Sequence, residues 1–160
     1  MNRINQFTMA FAAAIALAAP LSAQDTAPPV SLTGDVMAET VVVDADGKER
    51  VELVQPTTIV PGAKLVFGTD YTSKSAEVVN NFVVTNPLPQ AVRLAPDADP
   101  ALMVSVDGGK TFGALAALSV TNSDGTTRPA AHADVTHVRW VLASIAPGQS
   151  GRLTYPAIIR

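Results

Sequence analysis

Short runs of Val, Ile, Leu, Thr and Phe alternate with turn clusters of Gly, Pro, Asn and Asp from about residue 34 to the C-terminus. Within several runs, apolar and polar residues alternate with a period of two, which is the pattern of half-buried β-strands. No convincing long helical pattern interrupts them. The pattern therefore predicts an all-β domain, built as an antiparallel β-sandwich of about seven to nine strands.

The turns between the predicted strands favour hairpins, since Asp46-Gly47 and the Asp107–Lys110 cluster contain residues that accept positive φ angles. Pro156 predicts an edge position or a bulge for the last strand, because proline cannot donate to a ladder. Trp140 is predicted to be the main core anchor. The segment 114–120 fits either a strand or one short helical turn. The clearest predicted strands cover residues 36–43, 50–55, 65–71, 79–85, 102–106, 135–142 and 152–159.

The N-terminal segment has the three-part layout of a secretory signal peptide. Arg3 supplies a positive charge, an almost uninterrupted apolar run covers Met9 to Ala19, and Pro20 ends it. A transmembrane helix needs about 20 apolar residues, so this run is too short for a lasting membrane anchor. We expect cleavage after Ala23 and a soluble periplasmic or secreted product.

This cleavage point divides the chain into three parts: a signal peptide over residues 1–23, a flexible linker over residues 24–33 and the β-domain over residues 34–160. The linker contains Pro28-Pro29 and few large apolar residues. Cleavage leaves 137 of the 160 residues, enough to bury a core without covalent crosslinks.

Composition excludes several kinds of chemistry. The chain contains no cysteine, which rules out disulfides, thiolate metal sites, a thiol nucleophile and a lipid-anchored cysteine. Loss of Arg3 with the signal peptide changes the formal charge from −3 to −4. A surface that binds nucleic-acid phosphates needs the opposite sign, so no nucleic-acid partner is expected.

Several stretches resemble a known family, the bacterial conserved-repeat domains of unknown function. The similar stretches are Pro61-Gly62 with Leu65-Val66-Phe67 and Tyr71-Thr72, the run Asn81–Pro89, Trp140 within residues 138–142, and the turn Ala146–Gly151. Together they cover roughly residues 60–159. This chain has one copy, whereas many members occur in tandem, and it has Ser73-Lys74-Ser75-Ala76 where members commonly place an Asn and a Gly.

The resemblance implies an immunoglobulin-like sandwich on an exported or cell-surface protein. It implies no catalytic residue and no cofactor, because core and turn residues define the family. The expected partner is another envelope protein, and neither the oligomeric state nor edge-strand pairing with another chain is fixed by the sequence.

The sequence does not match the catalytic motifs with which it was compared. Gly109-Lys110-Thr111 lacks the glycine that a phosphate loop needs at position 104. The segment 105–112 instead resembles the Asp-box hairpin of β-propellers, a structural turn. Ser150 lies in Gly148–Arg152, which lacks the last glycine of a nucleophile elbow. We therefore expect no enzyme activity and assign no catalytic residue.

Two further alternatives concern ligands and crosslinks. His132, Asp134 and His137 form the only plausible polar cluster for a small-ligand or metal site, although residues five apart on a strand point to opposite faces. The acids around residues 44–52 are expected to form a solvated turn and not a calcium loop. An isopeptide bond at Lys64 would need a carboxylate that sequence alone cannot place.

The leading hypothesis from the sequence is an exported, non-catalytic module of the cell envelope, with a structural or protein-binding role. The alternative is a periplasmic module that binds a small ligand or a metal through the region of His132, Asp134 and His137. No metal ligand is assigned.

Overall fold

The structure is a computed structural model that describes residues 28–160; the expected signal peptide and residues 24–27 of the expected linker lie outside the described residues. The described part is all-β, with eleven strands and two short 3₁₀ helices, Leu115–Ala117 and His132–Asp134. The strands are β1 Val30–Val43, β2 Glu49–Val54, β3 Lys64–Ser73, β4 Val79–Pro87, β5 Val92–Leu94, β6 Met103–Ser105, β7 Gly113–Ala114, β8 Ser119–Thr121, β9 Thr127–Pro129, β10 His137–Ile145 and β11 Ser150–Ile159. The antiparallel all-β prediction is confirmed. The predicted strand number is too low, because five strands have only two or three residues.

Two larger antiparallel sheets face a common core in the described residues. One has the order β2-β1-β3-β11-β5 and the other the order β4-β10-β6-β7, while β8 and β9 form a separate hairpin. Leu65 and Ala157 from the first sheet meet Val104 and Val138 from the second in one buried cluster. The arrangement is sandwich-like, since each sheet buries one face against the other.

Strand β1 begins at Val30, before the predicted start of the domain at Gly34. Val30 is buried and pairs with Ser73 of β3. The Pro29 carbonyl accepts the N–H of Lys74. The prediction of a linker over residues 24–33 is therefore wrong at its C-terminal end, where residues 30–33 pair with β3 and Val30 is buried.

Strand β1 changes its partner halfway along its length. Residues 30–38 pair with β3, and residues 38–43 pair with β2 on the other side of the strand. The β1–β2 hairpin, residues 38–54, therefore extends past the end of β3. Gly47 has φ of 78° in its turn, as the Asp46-Gly47 signal predicts.

Tyr155 on β11 is the aromatic residue that joins the two sheets. It is 1% exposed, and its ring stacks on Phe67 at 5.0 Å between centroids and meets Trp140 of the other sheet at 6.1 Å. Trp140 is only partly buried, so its prediction as the main core anchor is wrong. Strand β6 covers β10 only as far as Arg139, and the ring of the next residue is left partly open.

The prediction that Pro156 marks an edge position holds locally, although β11 as a whole is not an edge strand. Strand β11 lies between β3 and β5, and Pro156 is in register with Val66. The Pro156 carbonyl accepts the N–H of Ala95, just past the end of β5. In a β-strand, the N–H and the carbonyl of one residue point to the same side. Pro156 lacks an N–H on the side that faces Ala95, beyond the last residue of β5, where the ladder has ended.

Replacing Tyr155 should destabilise the fold more than replacing Trp140. Tyr155→Ala removes a buried ring that contacts both sheets, which should lower the free energy of unfolding by about 3–5 kcal/mol. Trp140→Ala should cost less, because that ring is partly exposed. Urea denaturation followed by circular dichroism measures both values. Tyr155→Phe is the matched control and should retain most of the stability; a larger loss for Trp140→Ala would contradict this assignment.

Candidate functional site

The loop between β6 and β7 is organised around the carboxylate of Asp107. That carboxylate accepts hydrogen bonds from the backbone N–H groups of Lys110 and Thr111, from the Thr111 hydroxyl and from the Ser105 hydroxyl. These bonds, led by the one from the Thr111 hydroxyl, hold the pKa of Asp107 well below its usual range. The predicted structural turn is thus observed, and its glycines at 108 and 109 have φ of 77° and 85°.

The base of this loop is tied to the four-stranded sheet. The Ser105 hydroxyl is fully buried and accepts the N–H of Gly109. Thr136 donates its hydroxyl to the Ser105 carbonyl and accepts the N–H of Gly108. The Arg139 guanidinium lies 3.5 Å from the centre of the Phe112 ring, a cation–π contact. The backbone N–H groups of residues 108–111 all donate within the protein, so the loop has the bonding of a structural element and does not present them to a phosphate.

Asp134 is held by an arginine and not by a histidine. Both of its carboxylate oxygens accept hydrogen bonds from Arg128, at 2.6 and 2.7 Å, and the N–H of Ala131 donates to the same carboxylate. The Arg128 guanidinium lowers the pKa of Asp134 to about 2 from its usual 3.8. A carboxylate engaged in this way has little capacity left to ligate a metal.

The structure separates His132 from the other two residues of the predicted set. His132 lines a cavity between β6 and the first 3₁₀ helix, whereas Asp134 and His137 both line a second cavity, beside Arg160. The His137 Nδ1 lies 3.1 Å from the Thr136 hydroxyl. Across residues 28–160, no group of three or more His, Asp or Glu side chains is arranged to hold a metal ion.

The cavity at His132 has a volume of about 450 Å³ and mostly apolar walls. Leu94, Leu102, Val104, Leu115 and Ala116 are among the apolar residues that line it. His132 and Asp99 are its titratable lining residues. This size is in the range of small-molecule pockets, which usually combine apolar walls with a few polar groups.

The acidic residues near the β1–β2 turn are engaged within the hairpin. Asp44 accepts the backbone N–H groups of Asp46 and Lys48, and Glu52 pairs with Arg50 at 2.7 Å. These contacts are those of a solvated turn. Their oxygens do not form a cluster that could hold a metal within the described segment.

Lys64 does find carboxylate partners that its sequence position could not reveal. Its Nζ lies 2.5 Å from Asp97 and 2.9 Å from Glu39. The hydrogen bonds to Asp97 and Glu39 raise the pKa of Lys64, which keeps the amine protonated at neutral pH. The distances are those of an ion pair between Lys64 and two carboxylates.

The β1–β2 hairpin carries an aliphatic patch on the face that points away from the core. Val36 and Ala38 pack against the core, so the alternate residues of β1 face outward. Val41 and Val51 form a cross-strand pair on that outer face, and the patch comprises Val41, Val43, Val51 and Leu53, which are 58%, 60%, 63% and 48% exposed. We call these four residues the hairpin patch.

The sequence patterns did not reveal Tyr155 or the Arg128–Asp134 pair. The alternation of Leu153, Tyr155 and Ala157 along β11 is a signal that could have placed Tyr155 in the core. No sequence signal links Arg128 to Asp134, because a turn of irregular backbone separates them. The hairpin patch was visible as a valine-rich strand, but burial was the default expectation for it.

The described residues thus define an all-β protein with antiparallel sheets. Comparison of the chain with protein-family models, with curated proteins and with solved structures found no match. No helix among residues 28–160 is long and apolar enough to cross a membrane.

The Arg128–Asp134 pair predicts a defined pH dependence. Because the folded-state pKa of Asp134 is depressed to about 2, its contribution is complete above about pH 4 and is lost as the pH falls toward 2. Asp134→Asn should lower stability at neutral pH and flatten the loss of stability between pH 4 and 2. Urea unfolding at a series of pH values measures this slope.

The partner residue supplies the control for that measurement. Arg128→Gln should also reduce the loss of stability between pH 4 and 2. The double variant should be little less stable than either single variant, because each single change already removes the pair. An unchanged slope between pH 4 and 2 in both single variants would contradict the assignment.

Proposed function

We propose that this chain is an exported, non-catalytic β-sandwich protein of the cell envelope that acts through contacts with other proteins. The hairpin patch is the observation that carries this proposal. It places four aliphatic side chains, each about half exposed or more, on a hairpin that extends past the main sheet. Contiguous exposed apolar surface of this kind marks interaction sites more often than single exposed residues do.

The chemistry of the candidate polar residues agrees with a non-catalytic role. The Ser150 hydroxyl contacts Thr72, Asp107 is saturated by its own loop, and the two histidines line separate cavities. A serine nucleophile needs an adjacent base, and the hydrogen-bond partner of Ser150 is a threonine hydroxyl. We also propose that the domain is immunoglobulin-like, on the resemblance to bacterial conserved-repeat domains, and that the layout of residues 1–23 directs export.

The hairpin patch can be tested by site-specific photocrosslinking in intact cells. A photoreactive amino acid at Val43 should give a discrete crosslinked product in the envelope fraction, because that side chain is exposed at the end of the hairpin. Mass spectrometry then identifies the product. The same amino acid at Ser123, in the exposed β8–β9 turn, is the matched control.

Loss of the product on Val51→Ser would connect it to the patch, since Val51 lies beside Val41 on the same face. Two outcomes would contradict the proposed role of the hairpin patch. One is that Val43 gives the same crosslinked products as Ser123, and the other is that the Val43 product persists in the Val51→Ser variant.

The cavity at His132 supports a second candidate function, the binding of a small apolar molecule. The apolar walls would contact the body of the ligand, and the imidazole of His132 would meet an acidic or hydrogen-bonding group at the mouth. This refines the sequence-based alternative, since Asp134 is occupied by Arg128.

Two fluorescent probes test this cavity: the neutral N-phenyl-1-naphthylamine and the anionic 1-anilinonaphthalene-8-sulfonate. Ala116→Trp should fill the cavity and weaken both probes by about tenfold or more, which is about 1.4 kcal/mol of binding free energy. His132→Ala should weaken the anionic probe selectively. Ala117→Trp, on the exposed neighbour that does not line the cavity, is the control. Equal binding to wild type and Ala116→Trp would exclude the site.

A further inference from the structure

We propose that the outer edge of β2 pairs with the same edge of a second copy of this chain, in an antiparallel register centred on Val51. The inference rests on the proposed role of the hairpin as a protein-binding element and names its partner. The resulting two-fold dimer would join the two five-stranded sheets into one continuous sheet.

The edge of β2 is open in the described residues. Strand β2 is the terminal strand of its sheet and pairs there only with β1. Exposed edges are usually protected by charged side chains, above all Lys, by Pro or by a bulge, because an open row of N–H and carbonyl groups recruits another strand. The sequence of β2, Glu49-Arg50-Val51-Glu52-Leu53-Val54, contains neither Lys nor Pro, and its charged residues are of both signs, so they can pair with those of a second copy.

The hydrogen-bonding pattern of the hairpin fixes which residues of β2 offer their backbone groups outward. The N–H of Asp44 donates to the carbonyl of Lys48, so this is a hydrogen-bonded pair. Such pairs alternate with non-hydrogen-bonded ones along an antiparallel ladder, and the register makes Val41 with Val51 one of the latter. The outward-facing residues of β2 are therefore Glu49, Val51 and Leu53.

Five two-fold registers, centred on residues 49 to 53, align outward-facing residues, and charge distinguishes between them. Centring on Arg50 or on Glu52 would place two like charges opposite each other, which is unfavourable. Centring on Glu49 would place two glutamates opposite each other, which is unfavourable. Centring on Leu53 would place no opposite charges together. Centring on Val51 places Arg50 opposite Glu52 of the second copy, and Glu52 opposite Arg50, while the outward groups form about six backbone hydrogen bonds.

The side chains present in one copy suit this register. Arg50 and Glu52 already lie 2.7 Å apart on the same face, with side chains that are 62% and 38% exposed, so both are available to a second strand. On the opposite face, Val51 of one copy would meet Val51 of the other, and Glu49 would lie opposite Leu53. The pairing thus places opposite charges together on one face and joins the two Val51 side chains on the other.

Sedimentation velocity over a range of protein concentrations tests the proposal. The purified wild-type protein should reach the mass of a dimer as its concentration rises. Arg50→Glu and Glu52→Arg should each place two like-charged pairs across the axis and raise the dissociation constant by about tenfold or more. The double variant Arg50→Glu/Glu52→Arg restores opposite charges and should recover the dimer.

Two controls distinguish strand pairing at this edge from a general effect of net charge or of unfolding. Lys110→Glu changes the net charge as Arg50→Glu does but lies in the Asp107 loop, so it should leave the dimer intact. Circular dichroism checks that each variant is folded. A wild-type protein that is monomeric at all concentrations, or a dimer that is unaffected by both single reversals, would overturn the proposal.

The crosslinking experiment at Val43 distinguishes failure of this inference from failure of the proposed function. A product containing a different envelope protein, together with a monomeric purified chain, would overturn self-pairing and keep the protein-binding role. Absence of any patch-dependent product, with a monomeric chain, would overturn both.

Discussion

The contact of Tyr155 with both sheets is the interaction on which the rest of the fold depends. Its ring stacks on Phe67 within the five-stranded sheet and meets Trp140 across the interface between the sheets. Burial raises the pKa of its hydroxyl to about 12, so the residue stays neutral at any physiological pH. Since the chain has no disulfide to fix the distance between the sheets, this aromatic packing and the surrounding aliphatic cluster must do so.

The period-two patterns predicted the strands of the hairpin around Asp46-Gly47 and the strand over residues 65–71. They did not reveal burial, since β2 is largely exposed on both faces and β3 is mostly buried or half-buried on both. The patterns failed at Val30, which pairs with β3 before the predicted start of the domain, and they could not show that Pro156 lies in an inner strand just beyond the end of β5. Both outcomes depend on neighbours that are distant in sequence.

Among the candidate sites, too, those built from residues close in sequence could be predicted, and those built from distant residues could not. The Asp107 loop could be predicted because its bonds join residues at most four positions apart. The cavity at His132 could not, because its walls come from segments between residues 94 and 132 that meet only in the folded chain. His132, Asp134 and His137 are close in sequence, yet His132 lines a different cavity from Asp134 and His137, and Asp134 is paired with Arg128.

Strand β1 runs without interruption from the core into the hairpin, and this continuity has a mechanical consequence. A force applied to the hairpin along β1 loads the ladder between β1 and β3 in shear, where nine residue pairs share it from Val30 to Ala38. Hydrogen bonds loaded in parallel must break together, whereas bonds that are peeled from one end break one after another. The hairpin is therefore an arm anchored to the centre of its sheet, and a partner held there could transmit tension to the domain without first unzipping it.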